Sequence, residues 1–253
     1  MVFFYLFIFS NDSYAIVRHV NLGQLRLTWQ PVKGYSLRWS ILICSLPRRH
    51  QSLCALVNKL VDQIQQKKLE QKIEIVLFID SGQFSVGFKR QVLIQQSHGE
   101  YVSSVDDDDD VSESYIEKLY HATEFMPDVV SLKGIRMQAG IAQGLFVQSI
   151  SFMKPFAAHG EWWNNTTITM PFDDDFFSNK VASRVDRKPM PIVCRYASHL
   201  NVIRRDIMLQ VPFNDTTIGE DLDQAIRLYK SGRLIKEASV NDIVYIYNFD
   251  GNQ

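Results

Sequence analysis

The sequence predicts an α/β protein built on a Rossmann-like, doubly wound sheet of mostly parallel strands, followed by a less regular C-terminal half. Short, continuously apolar segments in the first half are typical of strands that are buried on both faces. Segments with apolar residues at helical spacing alternate with them, as crossover helices do. Polar clusters follow the strands directly, and ligands of such folds bind at the carboxyl ends of the strands.

The alternation runs through the first half of the chain. Its elements are strand 40–46, helix 51–66, strand 73–79, helix 88–96, strand 99–105, helix 113–125 and strand 127–132. Because this order joins each strand to the next through a helix, it predicts a parallel sheet with right-handed crossovers. One edge of that sheet would carry the polar clusters at 45–49, 80–82 and 106–110.

The second half is less regular. The predicted elements are two strands within 134–153, long loops over 154–190, a short helix near 203–208, a helix over 222–231, and strands at 233–237 and 243–247. Long loops in a compact domain are often binding loops. No clear linker divides the chain, so we expect an N-terminal extension, 1–38, and one domain, 39–253, with halves 39–133 and 134–253.

The N-terminal segment is strongly apolar but short. Residues 1–9 are about half the ~20 residues that a membrane-spanning helix needs. The segment has no basic n-region, which weakens the interpretation as a signal peptide. A buried strand, a loose apolar tail and a targeting segment stay open, so membrane association is possible but not indicated. We expect one or two short strands in residues 10–38.

Composition limits the classes of protein that the chain can represent. It has 253 residues, 46% of them hydrophobic, which is enough for one large domain. Its net charge of -1 argues against nucleic acid as a partner. Three cysteines without C-x-x-C spacing argue against a zinc cluster and a disulfide framework, and they fit the reducing cytoplasm.

Five consecutive aspartates, Asp106 to Asp110, follow the third predicted strand. Carboxylates at a strand end suit Mg²⁺ or Mn²⁺, which neutralises the charge that develops on a diphosphate leaving group. An EF-hand loop matches in part, but Val111 stands where that loop needs glycine, and a strand precedes it. A solvated acidic loop is the other alternative.

Taken together, five motifs carry a family resemblance. They are Ser40–Arg49, Glu74–Asp80, Gly87–Arg90, Gly99–Asp110 and Gly219–Asp221. Over roughly residues 38–250, their order resembles that of family 2 glycosyltransferases with the GT-A fold. The resemblance implies a nucleotide-diphosphate sugar as donor, most often a UDP-sugar, with Mn²⁺ or Mg²⁺ and inversion at the anomeric carbon. The acceptor would be a glycan, a lipid-linked molecule or a protein.

The resemblance also implies a donor pocket in the first half of the domain. Its residues would be Ser45, Leu46, Arg48, Asp80, Lys89, Arg90, Asp106 and Asp107. Asp80 would accept a hydrogen bond from the base, although aspartate at this place also suits a turn. Lys89 and Arg90 would contact phosphate, or be solvated charges. Asp106 would contact the ribose.

The metal register within the aspartate run is less defined. The resemblance places the metal on Asp108 with Asp106, and Asp107 or Asp109 could substitute. Asp109 and Asp110 would instead cap the helix that follows.

Glu220 and Asp221 match the catalytic acidic pair of the family, so Asp221 would be the general base and Glu220 its partner. The alternative is that both acids simply stabilise a helix N-terminus. Trp162 and Trp163 would stack on the acceptor, or anchor a loop. His199 would touch acceptor or diphosphate, or be structural.

Two other functions fit some of these features. A nucleotidyltransferase uses similar aspartates and Mg²⁺, but it usually carries a Gly-rich phosphate loop, and Pro47–Arg49 stands here instead. A non-catalytic relative that binds nucleotide sugars is the second alternative. The presence of both the aspartate run and Glu220-Asp221 argues against it.

Overall fold

The computed structural model describes residues 36–151 and 192–249 in full, and Phe152 and three further strands by their backbone. The strands are β1 Phe3–Phe9, β2 Ala15–Val20, β3 Trp39–Ser45, β4 Ile73–Ile79, β5 Tyr101–Ser104, β6 Asp110–Val111, β7 Val129–Val130, β8 Leu132–Gln138, β9 Ile141–Gln148, β10 Asn165–Thr166, β11 Ile192–Arg195, β12 Ile203–Arg204, β13 Glu237–Ala238 and β14 Tyr245–Asn248. The helices are α1 His50–Gln66, α2 Val86–Gln96, α3 Tyr115–Thr123, α4 Arg205–Gln210 and α5 Glu220–Ser231, with short 3-10 turns at Pro47–Arg49 and Ile150–Phe152.

The larger sheet confirms the predicted α/β class. Its strand order is β13-β7-β12-β5-β3-β4-β1-β2, and β3 lies parallel to both β4 and β5. Helices α1, α2 and α3 follow β3, β4 and β5 in the predicted alternation. Because these three strands are parallel, the segments after Ser45, Ile79 and Ser104 meet at one edge of the sheet.

Helices cover both faces of this sheet. Successive side chains of a strand point to opposite faces, so each central strand contributes to both cores. Ile41 and Ile43 pack into the core that includes α1 and α3, whereas Leu42 packs into the core that includes α2, α4 and α5. All three side chains are buried. A continuously apolar strand is therefore what two covered faces require.

The smaller sheet has the order β10-β11-β9-β8-β14-β6. Its β8–β9 hairpin confirms the strands predicted within 134–153, and Ala139 and Gly140 turn the chain with φ of 48° and 76°. Strand β6 holds the end of the aspartate run and pairs antiparallel with β14. The EF-hand alternative is therefore wrong, because Val111 lies in a strand and not in a calcium loop.

Several boundaries differ from the prediction. Ile203 lies in β12, antiparallel between β5 and β7, rather than in the helix that starts two residues later. The predicted strand 233–237 is the short β13, and the last strand begins at Tyr245. At the N-terminus, β1 pairs antiparallel with β4 and with β2, so this segment is a strand.

The loops predicted over 154–190, including Trp162 and Trp163, lie outside the described residues apart from β10. No helix in the described part of the chain is long and apolar enough to cross a bilayer.

Candidate active site

The aspartate run forms a tight loop that β14 holds in place. The Asp106 backbone N–H donates to the Tyr245 hydroxyl at 3.2 Å, and that hydroxyl donates to Asp109 Oδ2 at 2.7 Å. The Asn248 backbone N–H donates to Asp109 Oδ1 at 2.8 Å, and the Asn248 amide donates to the Asp108 carbonyl at 3.1 Å. Asp109 is therefore a buried structural residue that ties the loop after β5 to β14 of the smaller sheet.

The expectation that Asp109 and Asp110 cap the following helix is wrong. Ser114 occupies the N-cap of α3. Asp110 pairs with Lys59 of α1 at 3.0 Å and accepts the backbone N–H of Val111 at 2.8 Å. The extra residues of β6 separate the run from the helix, so these carboxylates cannot reach its first turn.

Asp106 lies at the centre of a charge network whose other members are buried, while its own side chain is 33% exposed. Arg90 Nη2 donates to Asp106 Oδ1 at 2.8 Å, and Arg90 Nη1 donates to Glu220 Oε1 at 2.5 Å. Burial opposes ionisation of Asp106, but Arg90 and His199 outweigh it and hold the pKa of this carboxyl well below its usual range. Burial outweighs Arg90 at Glu220 and raises its pKa. One guanidinium thus joins the end of β5 to the start of α5.

His199 lies next to Asp106. Its Nε2 is 3.7 Å from Asp106 Oδ2, and its ring meets Phe213 edge to face at 6.5 Å between centroids. The side chain is buried, and neither ring nitrogen makes a hydrogen bond within the described residues. His199 therefore adjoins the carboxylate network rather than an open surface.

Asp107 and Asp108 are held from the other side by the turn after β3. Ser45 Oγ donates to Asp107 Oδ2 at 2.6 Å, and Arg49 contacts Asp107 at 2.7 Å and Asp108 at 3.1 Å. Burial outweighs these contacts and raises the pKa of Asp107. These two adjacent aspartates differ in exposure: the side chain of Asp107 is 3% exposed and that of Asp108 is 32% exposed.

The turn after β3 brings in a guanidinium that the sequence did not single out. Arg48, the residue assigned from the sequence, is exposed, and Arg49 makes the contacts to the aspartates. Leu46 is partly buried and precedes the 3-10 turn that Pro47 begins. In this turn the side chain of Arg48 faces solvent and that of Arg49 faces the aspartates. The sequence did not indicate the 3-10 turn after β3.

Asp80 and Lys89 form a buried ion pair next to this network. Lys89 Nζ donates to Asp80 Oδ1 at 2.8 Å, and the Phe84 backbone N–H donates to Oδ2 at 3.0 Å. Burial opposes ionisation, but these bonds outweigh it and lower the pKa of Asp80. The structure thus places Lys89 and Arg90 among carboxylates, and their contact with phosphate stays a prediction.

Asp221 differs from its neighbour Glu220. Both begin α5, whose N-cap is Gly219 at φ 75° without a side-chain cap. Glu220 turns inward to Arg90, whereas Asp221 is partly exposed and makes no hydrogen bond or ion pair within the described residues. Burial lowers the pKa of Arg195 in β11 against the opposing charge of nearby Asp221, so the smaller sheet also borders the site.

The carboxylates of the loop lie close enough to affect one another's ionisation. Burial and the charge of Asp106 raise the pKa of Asp109 to about 8. Across residues 36–152 and 192–249, no three His, Cys, Asp or Glu side chains form a group arranged to hold a metal by themselves. Asp106 and Asp108 are similarly exposed, at 33% and 32%, whereas Asp107 is 3% exposed. Asp110 is 44% exposed but pairs with Lys59.

Comparison with known proteins supports the fold. No known protein family matches the chain, and no curated protein matches it. The chain is similar to S. aureus TarS 1–349 in complex with UDP-GlcNAc, with 11% identity and a TM-score of 0.50 over 86% of this chain and 60% of that chain. TarS 1–349 in complex with UDP gives 12% identity and a TM-score of 0.49 over 84% and 61%.

The chain thus spans about three fifths of the length of these structures. At this identity the likeness shows the fold alone. The chain has a GT-A-like, Rossmann-type α/β fold.

Proposed function

We propose that the chain is a glycosyltransferase that moves a sugar from a nucleotide-diphosphate sugar to an acceptor hydroxyl. A UDP-sugar is the favoured donor, and the configuration at the anomeric carbon would be inverted. One observation carries the proposal. Arg90 joins Asp106, which follows β5, to the acidic start of α5, and Asp80 follows the parallel strand β4 at the same edge of the sheet. The similarity to a structure that contains UDP-GlcNAc supports the choice of donor.

The donor would lie over the carboxyl ends of β3, β4 and β5, where such folds bind nucleotides. Arg49 is the best-placed cation for the diphosphate, since its side chain is 31% exposed and already faces carboxylates. Ser45 and Leu46 would line the pocket. The buried Asp80–Lys89 pair would form its floor under the base, and Asp106 would face the ribose.

The oxygen donors fit a hard divalent cation. Mg²⁺ and Mn²⁺ are commonly held by one or two carboxylates together with substrate phosphates, so a closed protein cage is not required. Asp108, with Asp106, would hold the metal, because their side chains are 32% and 33% exposed whereas that of Asp107 is enclosed. When bound, the metal would stabilise negative charge on the leaving diphosphate.

Asp221 would be the general base. Its carboxylate is partly exposed while Glu220 is held by Arg90, so only Asp221 is available to an incoming hydroxyl. The acceptor oxygen attacks the anomeric carbon while its proton passes to Asp221. The bond from that carbon to the diphosphate oxygen breaks, and the nucleoside diphosphate leaves. A single displacement of this kind inverts the configuration.

The acceptor would bind along residues 134–253, which include Trp162, Trp163 and the face of the smaller sheet. Glycan, lipid-linked and protein acceptors all carry the required hydroxyl. The free cysteines Cys44, Cys54 and Cys194 support a reducing compartment such as the cytoplasm.

The test is ligand-induced stabilisation. UDP, UDP-GlcNAc and UDP-glucose should raise the melting temperature with Mn²⁺ and less without it, because a ligand that binds only the folded state stabilises it. Inorganic pyrophosphate with Mn²⁺ controls for simple anion binding. Stabilisation by none of the nucleotide sugars would contradict the proposal. Turnover of UTP to pyrophosphate would instead indicate a nucleotidyltransferase.

A further inference from the structure

Helix α2 connects the strand ends to the segment that precedes Asp221. Its C-terminal half is anchored in the core on one face of the larger sheet, where Leu93 and Ile94 are buried. Its N-terminal half contacts residues 213–220, which lie more than 120 positions further along the chain. The segment 214–219 is otherwise exposed at every residue.

The contacts between α2 and this segment are polar and close. The Gly87 backbone N–H donates to the Thr216 carbonyl at 2.9 Å, and the Phe213 backbone N–H donates to Gln91 Oε1 at 3.0 Å. Ser85, the N-cap of α2, also donates its hydroxyl to Asp215.

Arg90 adds the contact nearest to the catalytic pair. Its guanidinium lies 5.9 Å from the Phe213 ring centroid and also binds Glu220, directly before Asp221. Four residues at the start of α2 therefore contact 213–220, and the contact from Arg90 to Glu220 lies next to Asp221.

Gly87 determines how closely the two parts approach. A Cβ at this position would lie 1.9 Å from the Asn214 carbonyl oxygen and 3.0 Å from that of Thr216. Real Cβ atoms do not come this near to backbone oxygens, and backbone cannot rotate away as a flexible side chain does. Any larger residue at 87 must push the segment outward.

We propose that Gly87 and Gln91 are positioning residues, through which α2 sets the distance between Asp221 and the donor carboxylates. This inference rests on the proposed function, because the distance matters only if Asp221 acts on an acceptor. Gly87 permits the close approach, and Gln91 fixes the backbone at Phe213, where the segment begins. Neither side chain touches the reacting atoms.

The test compares Gly87→Ala with Gln91→Leu, because the first adds a methyl group to the contact and the second removes a hydrogen-bond acceptor. Gln91→Glu keeps the acceptor, and Gln95→Leu makes the same change one turn later, at an exposed position. Three quantities are measured for each variant: release of UDP from UDP-GlcNAc with Mn²⁺, the Kd of UDP, and amide hydrogen exchange of peptides covering 213–221.

We expect Gly87→Ala to lower turnover about 100-fold, the scale of an ångström-sized displacement. Gln91→Leu should lower it about fivefold, as expected for one net hydrogen bond. Both variants should exchange faster over 213–221 and keep the Kd of UDP within about threefold, because the donor carboxylates stay in place. Gln91→Glu should restore turnover, and Gln95→Leu should match the wild type.

Wild-type turnover in Gly87→Ala, or unchanged exchange over 213–221 in both variants, would overturn the inference. If Gly87→Ala fails to fold, the comparison of Gln91→Leu with Gln91→Glu and Gln95→Leu tests the inference by itself. If the wild type binds no nucleotide sugar while both variants exchange faster, the proposed function is wrong and the role of α2 in holding the segment is supported.

Discussion

The two walls of the candidate site are built differently. At the strand ends of the larger sheet, Asp80, Asp106 and Asp107 each have a cationic partner at 2.8 Å or less, and Asp80 and Asp107 are fully enclosed. At the start of α5, Asp221 is partly exposed and the preceding segment 214–219 lies in solvent. The first wall is suited to hold a charged ligand in one place, and the second to receive a proton from an incoming molecule.

The largest expected effect concerns the exposed wall. Asp221→Asn should lower sugar transfer about 10²- to 10⁴-fold, the usual contribution of a general base, and leave the Kd of the UDP-sugar unchanged. Steady-state kinetics with parallel calorimetry would measure both quantities. Asp223→Asn is the matched control in the same helical turn. Because Asp223 pairs with Arg227 at 2.7 Å and accepts a hydrogen bond from Asn214 at 2.8 Å, its loss should lower transfer far less than the loss of the base. Equal turnover in Asp221→Asn and wild type would refute the base.

The enclosed wall should respond through stability instead. Asp80→Asn leaves Lys89 buried without its counter-charge, which should lower the free energy of unfolding by about 3 kcal/mol or more. Urea denaturation would measure the loss. Asp62→Asn, on the exposed face of α1, should change little. A wild-type midpoint in Asp80→Asn would show that the pair is not needed for stability.

The pH dependence sharpens this prediction. Because the pKa of Asp80 is lowered in the folded state, its stabilising effect is present above the unfolded pKa of 3.8 and is lost as pH falls through the folded value. Stability of the wild type should therefore fall below about pH 4, and Asp80→Asn should lose part of that slope. Denaturation at pH 7 and at pH 3 would show it.

A smaller effect is expected at the metal. Asp108→Asn should weaken Mn²⁺-dependent binding of UDP by about 100-fold, the upper range for perturbed metal sites, while the Mn²⁺-free affinity stays the same. Asp110→Asn serves as control, since Asp110 pairs with Lys59 outside the site. Tight binding of UDP by Asp108→Asn that still depends on Mn²⁺ would move the metal to another carboxylate.

The smallest effect should come from the connection between the two sheets. Tyr245→Phe removes the hydroxyl that bridges Asp106 and Asp109, both within hydrogen-bond distance. We expect a loss of about 1–3 kcal/mol in the free energy of unfolding, because a buried carboxylate loses its donor. Tyr247→Phe on the same strand is the control. A larger loss for Tyr247→Phe than for Tyr245→Phe would contradict this assignment.

The sequence alone determined the architecture of the first half. Apolar runs and helical spacing are local signals, so β3, α1, β4, α2, β5 and α3 were all predictable, as was the meeting of polar clusters at one sheet edge. The order of motifs indicated the fold. The short strands β6 and β12 were not predicted, and β13 was predicted with displaced bounds, since two residues carry no periodicity and long-range pairing alone defines them.

Only the tertiary structure decided which adjacent side chain faces the site. Arg90 and Glu220 are 130 positions apart, and Tyr245 and Asp109 are 136 apart, so no local pattern could pair them. In the same way, Asp107 is enclosed while Asp108 is partly open, and Arg49 rather than Arg48 turns inward. The five aspartates differ in burial and charge because each has different neighbours, on α1, α2, the turn after β3 or β14.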